Sequence, residues 1–276
     1  MNTGKIVFIG GGNMARSLIG GLVADGQSAE QIHVVDKQPE VLTNLQQKYA
    51  VQVHDEISAA LSDADVVVLA VKPQQMQDVI KSLAPTWPEK ALLISIAAGI
   101  RLEDMSRWLQ QPAAIVRAMP NTPSLVQAGA TALFANENVT DTQKEQAEAI
   151  LRAVGIAIWL ETESKMDAVT ALSGSGPAYF FLVMEAMENA AIELGLTQET
   201  ARMLCLETAF GAAKMALESD LPVATLRQQV TSPGGTTERA IHELEDGGLH
   251  GLFENALVAA ALRARELGTQ LGQDHD

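Results

Sequence analysis

The sequence predicts an α/β chain in two parts: an amino-terminal dinucleotide-binding domain over residues 1–162 and an all-α carboxy-terminal domain over 163–276. Three observations predict it. A strand pattern runs straight into a glycine turn and a helix pattern at Lys5–Ala15. Apolar strand patterns then alternate with helix patterns as far as Leu160. Past Glu161–Lys165 every remaining pattern reads as helix.

The first element sets the frame. In KIVFIGGGNMA, Ile6–Ile9 is a continuous apolar run, as in a strand buried on both faces. The spacing Gly10-x-Gly12-x-x-Ala15 is that of the tight turn that receives a dinucleotide pyrophosphate. Gly10 permits the turn, Gly12 lets phosphates reach the backbone, and the small Ala15 lets helix and strand pack closely. The helix start offers free N–H groups and a partial positive charge. Candidates on the cofactor side here are Ile9, Gly10, Gly11, Gly12, Asn13 and Met14. A tight turn in some other α/β protein is the alternative, and the flanking strand and helix weigh against it.

The remaining elements follow in order. Met14–Ala24 is helical, with Gly20-Gly21 as a point of close packing. Ile32–Val35 is a strand ending at Asp36, and Pro39–Tyr49 a helix begun near Gln38. Val51–Val53 is a brief strand and Ser58–Leu61 a helical turn. Asp65–Val71 is a buried strand that Lys72-Pro73 breaks. Gln74–Leu83 and Leu102–Leu109 are helices on either side of the strand Ala91–Ala97. Ala114–Ala118 and Ala130–Ala135 are strands, Thr142–Ala153 is a helix capped by Asp141 or Thr140, and Gly155–Leu160 is the last strand. Together they predict a largely parallel sheet covered on both faces. Helices are then expected over Met166–Leu172, Pro177–Leu194, Gln198–Glu218, Pro222–Val230, Thr236–Glu245 and Leu249–Leu271. Ala178–Leu194 is apolar around most of its circumference, more than a small helical domain buries alone, so a partner subunit is the expected cover.

Composition narrows the partners. With 19 basic and 34 acidic residues the net charge is −15, which disfavours a nucleic-acid backbone or an anionic membrane surface. The longest apolar runs are too short to span a bilayer, and the chain opens directly on a strand, so a cytoplasmic protein is expected. Cys205 lies in an apolar helical pattern and reads as a core residue. His33, His54, His242, His250 and His275 show no metal-ligand spacing, and no metal site is expected.

Further candidates lie at predicted strand ends. Asp36 stands 26 positions after Gly10, where a carboxylate holds a ribose 2′-hydroxyl and repels a 2′-phosphate; the adjacent Lys37 offsets that repulsion and leaves NAD and NADP both open. Ala70-Val71-Lys72-Pro73 and Ala97-Ala98-Gly99 end two parallel strands, where small residues admit a flat ring or simply pack tightly. Arg117, in RAMPNTP, has two readings: a substrate anchor, or one side of an ion pair. In the helical half, Ser173-Gly174-Ser175-Gly176-Pro177 punctuates two helices, with Pro177 at a first helical position. TSPGGTT, Thr231–Thr237, precedes another helix, and the N–H groups of Gly235, Thr236 and Thr237 would be unpaired and ready for a carboxylate. An ordinary glycine turn with an N-cap is the competing reading of each loop alone.

The combination GGGNMA, AVKP, RAMPNTP, SGSGPAY and TSPGGTT resembles the pyrroline-5-carboxylate reductase family, over roughly Lys5 to Leu267. The resemblance implies a Rossmann domain followed by a helical dimerisation domain, with assembly into dimers or decamers. It implies reduction of 1-pyrroline-5-carboxylate to L-proline, the last step of proline biosynthesis, with NADPH as the usual cofactor and NADH possible. By position it assigns the substrate carboxylate to Ser232, Gly234, Gly235, Thr236 and Thr237, with the catalytic Thr237 hydroxyl beside the ring nitrogen. Glu163 and Asp220 match substrate-side positions, Gln229 a cofactor-side asparagine, and Ala70–Pro73 with Ala98 the cofactor side. Two positions depart from the family pattern. Asp55–Ile57 contains no asparagine for the adenosine portion, and Asp36-Lys37 replaces the Ser or Thr expected near a 2′-phosphate. Both bear on the choice of cofactor, not on the reaction. An imine already protonated needs no strong general acid, which suits a chain without one in these loops. β-Hydroxyacid dehydrogenases resemble the same architecture but carry a catalytic lysine four residues past the second glycine of this pair, where this chain has Phe180. A cofactor-binding regulator without turnover would have no need of two intact loops.

Overall fold

The computed structural model describes residues 3–273. Its strands are β1 (Ile6–Ile9), β2 (Ile32–Val35), β3 (Gln52–His54), β4 (Val66–Leu69), β5 (Leu92–Ser95), β6 (Ala114–Met119), β7 (Gly129–Ala135) and β8 (Gly155–Trp159). They form one sheet in the order β3-β2-β1-β4-β5-β6-β7-β8. All neighbouring pairs are parallel except β6 and β7, which are antiparallel and joined by the turn that the two prolines of RAMPNTP stiffen. The helices within this part are α1 (Asn13–Ala24), α2 (Pro39–Tyr49), α3 (Ile57–Leu61), α4 (Met76–Leu83), α5 (Leu102–Leu109) and α6 (Asp141–Arg152). Thr140 caps α6, accepting from the Gln143 N–H.

Period-two alternation of the strands divides the core. Ile6, Phe8, Val34, Val66, Val68 and Ile94 face α1, α2 and α6, whereas Val7, Val67, Leu69 and Leu93 face α3, α4 and α5. Phe8, Ile6, Leu18 and Leu69 are fully buried, each contributing roughly 1.5–3 kcal/mol. The expected close approach at Gly20-Gly21 is real: a Cβ on Gly21 would stand 2.3 Å from the Ala153 carbonyl oxygen. Coverage is incomplete at the sheet edge, where Ile156 and Ile158 of β8 are more than half exposed.

The later helices are α7 (Met166–Val169), α8 (Gly176–Glu193), α9 (Gln198–Glu218), α10 (Val223–Gln229), α11 (Thr236–Asp246) and α12 (Leu249–Leu271). Between α7 and α8 the backbone is a π-helix over Thr170–Gly174, closed by the Ser175 N–H on the Thr170 carbonyl at 2.8 Å. This corrects the expectation that Ser173–Pro177 interrupts two helices. The segment stays helical with a widened turn, and α8 starts at Gly176, one residue before Pro177.

The described residues pack as two compact units, 3–175 with 259–273, and Gly176–Val258. Residues 163–175 belong to the first because polar contacts fasten them to it. Glu163 accepts from the Leu102 N–H at 3.0 Å and from Arg117 at 2.8 Å, and the Ser173 carbonyl accepts from Asn121. The end of α12 belongs there too, through Arg101 on Thr269 and Arg107 on the Gly272 carbonyl. Within the second unit Cys205 is buried, as its pattern predicts, with Sγ toward the Met184 carbonyl. Around it Phe180, Phe181, Leu182, Met203, Leu204 and Phe210 are each more than half exposed.

Candidate active site

Registration of the strands builds a cleft. Ile9 lies level with Val35 on one side and Leu69 on the other, so Gly10, Asp36 and Ala70 leave the sheet side by side. β1 and β4 are neighbours from which the chain winds in opposite directions, the switch point where open α/β sheets bind ligands. The resulting cleft, about 330 Å³, is lined by Ile9, Gly10, Gly12, Asp36, Lys37, Ala70, Val71 and Lys72, all expected on the cofactor side. Val35, Gln38, Asp55, Ile57, Gln75, Asp78 and Val79 complete the wall. Asp55–Ile57 is the segment marked in the sequence for the adenosine portion; Gln75, Asp78 and Val79 were missed because only the sheet order brings the segment after β4 to the glycine turn.

The glycines of the turn differ in what holds them. Gly10 has φ of +100°, and a Cβ there would meet the Ala70 carbonyl oxygen at 2.6 Å. Gly11 is buried, and its N–H donates to Asp36 Oδ2 at 2.8 Å. A Cβ on Gly12 would meet nothing within 4 Å, so that backbone opens on the cleft. Gly12 is the N-cap of α1 and brings no side-chain cap, leaving the first-turn N–H groups at Asn13 and Met14 to an incoming anion. A cradle that one Cβ would fill, at an uncapped helix start, fits a dinucleotide pyrophosphate.

Asp36 is engaged twice, by the Gly11 N–H on Oδ2 and by the Gln38 N–H on Oδ1 at 2.9 Å. Two backbone donors offset its charge, and Lys37 and Lys72 bring cations to the same cleft. Pro73 starts the short turn after Lys72, and Ala98 lies in the turn after β5. Gln229 ends α10 in the second unit.

The structure decides between the readings of Arg117. It is 6% exposed and pairs with Glu163 at 2.8 Å, so it is the cation of an internal ion pair. Glu163, expected at the substrate, has Oε1 shared between Arg117 and the Leu102 N–H. Another pair escaped sequence reasoning: the rings of His33 and His54 stack 5.1 Å apart, with Nδ1 and Nε2 2.9 Å apart. Burial and the nearby Lys5 lower both, His33 to about 4. His275 lies outside the described residues.

In the second unit, Ser232–Gly235 forms a tight turn, with Gly234 at φ of +71° and the Gly235 N–H on the Ser232 carbonyl at 2.9 Å. That corrects the expectation for Gly235, whose N–H closes the turn and is not unpaired. Gly235 caps α11 without a side chain, so Thr236 and Thr237 occupy an uncapped first turn. The Gly234 N–H is held by Glu238 Oε2 at 2.8 Å. Glu238 was missed, although its place three residues past Gly235 is that of the acid in a capping box. Asp220 is exposed between α9 and α10.

A doubly wound sheet with a cradle of this kind, followed by a helical unit, defines the class of dinucleotide-dependent oxidoreductases with a helical second part. Residues 163–267 match the model of pyrroline-5-carboxylate reductase dimerisation, and 5–99 that of NADP oxidoreductase, coenzyme F420-dependent. A pyrroline-5-carboxylate reductase of Pseudomonas aeruginosa is 52% identical over 99% of this chain and 100% of its own. The structure of one from Coxiella burnetii is 51% identical with a TM-score of 0.93, covering 96% of this chain and 99% of that one. That of Plasmodium falciparum, with NADP bound, is 30% identical with a TM-score of 0.85, covering 97% and 99%. The chain belongs to the pyrroline-5-carboxylate reductase family. It is an NAD(P)H-dependent oxidoreductase that reduces the C=N bond of 1-pyrroline-5-carboxylate to give L-proline, and it self-associates through the part that matches the dimerisation model. Among the described residues no helix is long and apolar enough to cross a membrane.

Proposed function

We propose that the reaction runs with NADPH, NADH serving less well, and that the residues divide by unit. In the first, Ile9–Met14, Asp36, Lys37 and Ala70–Pro73 hold the cofactor, with Ala98 toward its nicotinamide end. Lys37 and Lys72 meet the 2′-phosphate, while the Gly11 and Gln38 N–H groups moderate the charge of Asp36. The NADP-bound relative from Plasmodium falciparum supports the use of NADPH. When bound, NADPH supplies the hydride that reduces the imine carbon.

In the second unit, the first-turn N–H groups of Thr236 and Thr237, with the Ser232 hydroxyl, hold the substrate carboxylate, and Gly234 and Gly235 shape the turn that presents them. The Thr237 hydroxyl orients the ring nitrogen and Asp220 lies on its side of the substrate, while Gln229 reaches the cofactor. Glu163 serves the substrate side while neutralising Arg117. The functional division falls at 162/163, where the dimerisation match begins. Orientation of this kind supplies up to about 7–11 kcal/mol of barrier lowering without a strong acid. Dimers of the helical unit, or decamers, act in the cytoplasm on a small molecule, not on nucleic acid or membrane.

The uncapped start of α11 carries this reading. Thr237→Ala is expected to lower kcat/KM for the cyclic imine by about tenfold or more with NADPH affinity intact. Full catalytic efficiency in that variant would remove Thr237 from the mechanism.

A further inference from the structure

The π turn over Thr170–Gly174 contains a carbonyl with a missing helical partner. In an α-helix the Ser173 carbonyl accepts from the N–H four residues on. That residue is Pro177, which has no N–H. The Asn121 side chain supplies the donor instead, its Nδ2 standing 3.1 Å from the Ser173 oxygen. The other end of the same amide is fixed, since Oδ1 accepts the Ala130 N–H at 2.9 Å where β7 begins. Side chains inside the turn bond locally: Thr170 Oγ1 donates to the Met166 carbonyl and Ser173 Oγ to that of Val169. Asn121 is therefore the tie from the turn to the loop between β6 and β7, and Pro177 is what leaves the carbonyl open for it.

We propose that Asn121 and Pro177 act together as positioning residues for imine reduction: the proline withholds a helical donor so that the asparagine can fix the Thr170–Gly174 segment in its π form. The inference rests on the reductase reading for its effect on turnover. π segments within helices recur at functional sites because they redirect a few residues without ending the helix. A chain with alanine at 177 has an internal donor for the carbonyl, and the turn can relax to α geometry with Asn121 unchanged.

Three variants test this in the full-length enzyme. Asn121→Asp keeps the acceptor for Ala130 and loses the donor; it is expected to lower kcat by about tenfold, to lower Tm, and to leave the NADPH Kd within about twofold. Pro177→Ala is expected to lower kcat to a similar extent without lowering Tm. The double variant is expected to regain Tm relative to Asn121→Asp while kcat falls no further than in the singles, since both changes act on one contact. Wild-type kcat in Pro177→Ala, or losses that multiply in the double variant, would overturn the proposal. Amide exchange at Ser175, whose N–H closes the π turn, judges the tie separately: it must quicken in Asn121→Asp, and unchanged protection there overturns the tie. A wild-type enzyme inert toward the imine would sink the reductase reading alone.

Discussion

Gly10 and Gly12 stand two residues apart in one turn and answer to different constraints. At Gly10 a side chain collides with the Ala70 carbonyl and is strained by the positive φ; at Gly12 it enters only the open cleft. Gly10→Ala is therefore expected to destabilise the fold by about 1–2 kcal/mol for the backbone conformation alone, and more for the collision. Gly12→Val is expected to leave the melting temperature nearly unchanged and to raise the NADPH Kd by tenfold or more, as the loss of ~1.4 kcal/mol of binding requires. Calorimetry and fluorescence titration of the two variants check the contrast. Equal effects on both observables in both variants would contradict it. At this scale the sequence was most informative where spacing alone defines the chemistry, as in the glycine turn. It was least informative for partners far apart in the chain: Arg117 lies 46 residues from Glu163, and His33 lies 21 from His54. Pairing at such separations depends on sheet order and register, which periodicity does not encode.

Among the elements, continuous apolar runs such as Val66–Leu69 made the buried parallel strands readable, and the antiparallel step from β6 to β7 came only from the structure. The π segment was unreadable for a physical reason. Glycines, serines and a proline are the residues of a helix break, and their helical form depends on a donor 52 residues away. The ion pair of Arg117 and Glu163 joins three elements, since β6 carries the arginine, the α5 start donates to the glutamate, and the glutamate leads into α7. Glu163→Ala leaves a buried guanidinium without its anion. The expected cost is on the order of 3 kcal/mol, the lower end for breaking a buried pair, because Glu163 keeps a quarter of its side chain in solvent. Urea denaturation measures it, and Glu163→Gln, which keeps an acceptor oxygen, is expected to cost less. A stable Glu163→Ala variant would make the pair incidental.

The molecule as a whole leaves its second unit thinly buried as a single chain. Phe180, Phe181 and Leu182 of α8, and Leu204 and Phe210 of α9, are exposed to an extent that water tolerates poorly, and this region matches a dimerisation model. Phe181→Glu is expected to shift the sedimentation profile toward monomer and to make Tm independent of protein concentration, where the wild-type Tm rises with concentration. An unchanged profile would move the association surface elsewhere. The need for a partner was legible in α8, whose apolar residues run around most of the helix. The number of subunits was not, because composition records how much apolar surface needs covering and not how many copies cover it.

Imine-dependent oxidation of the cofactor by the purified chain is the most direct test. Followed at the nicotinamide absorbance with 1-pyrroline-5-carboxylate, NADPH is expected to be consumed in equal amount with L-proline formed, and faster than NADH at equal concentration. Consumption of neither cofactor, or consumption without proline, would contradict the account.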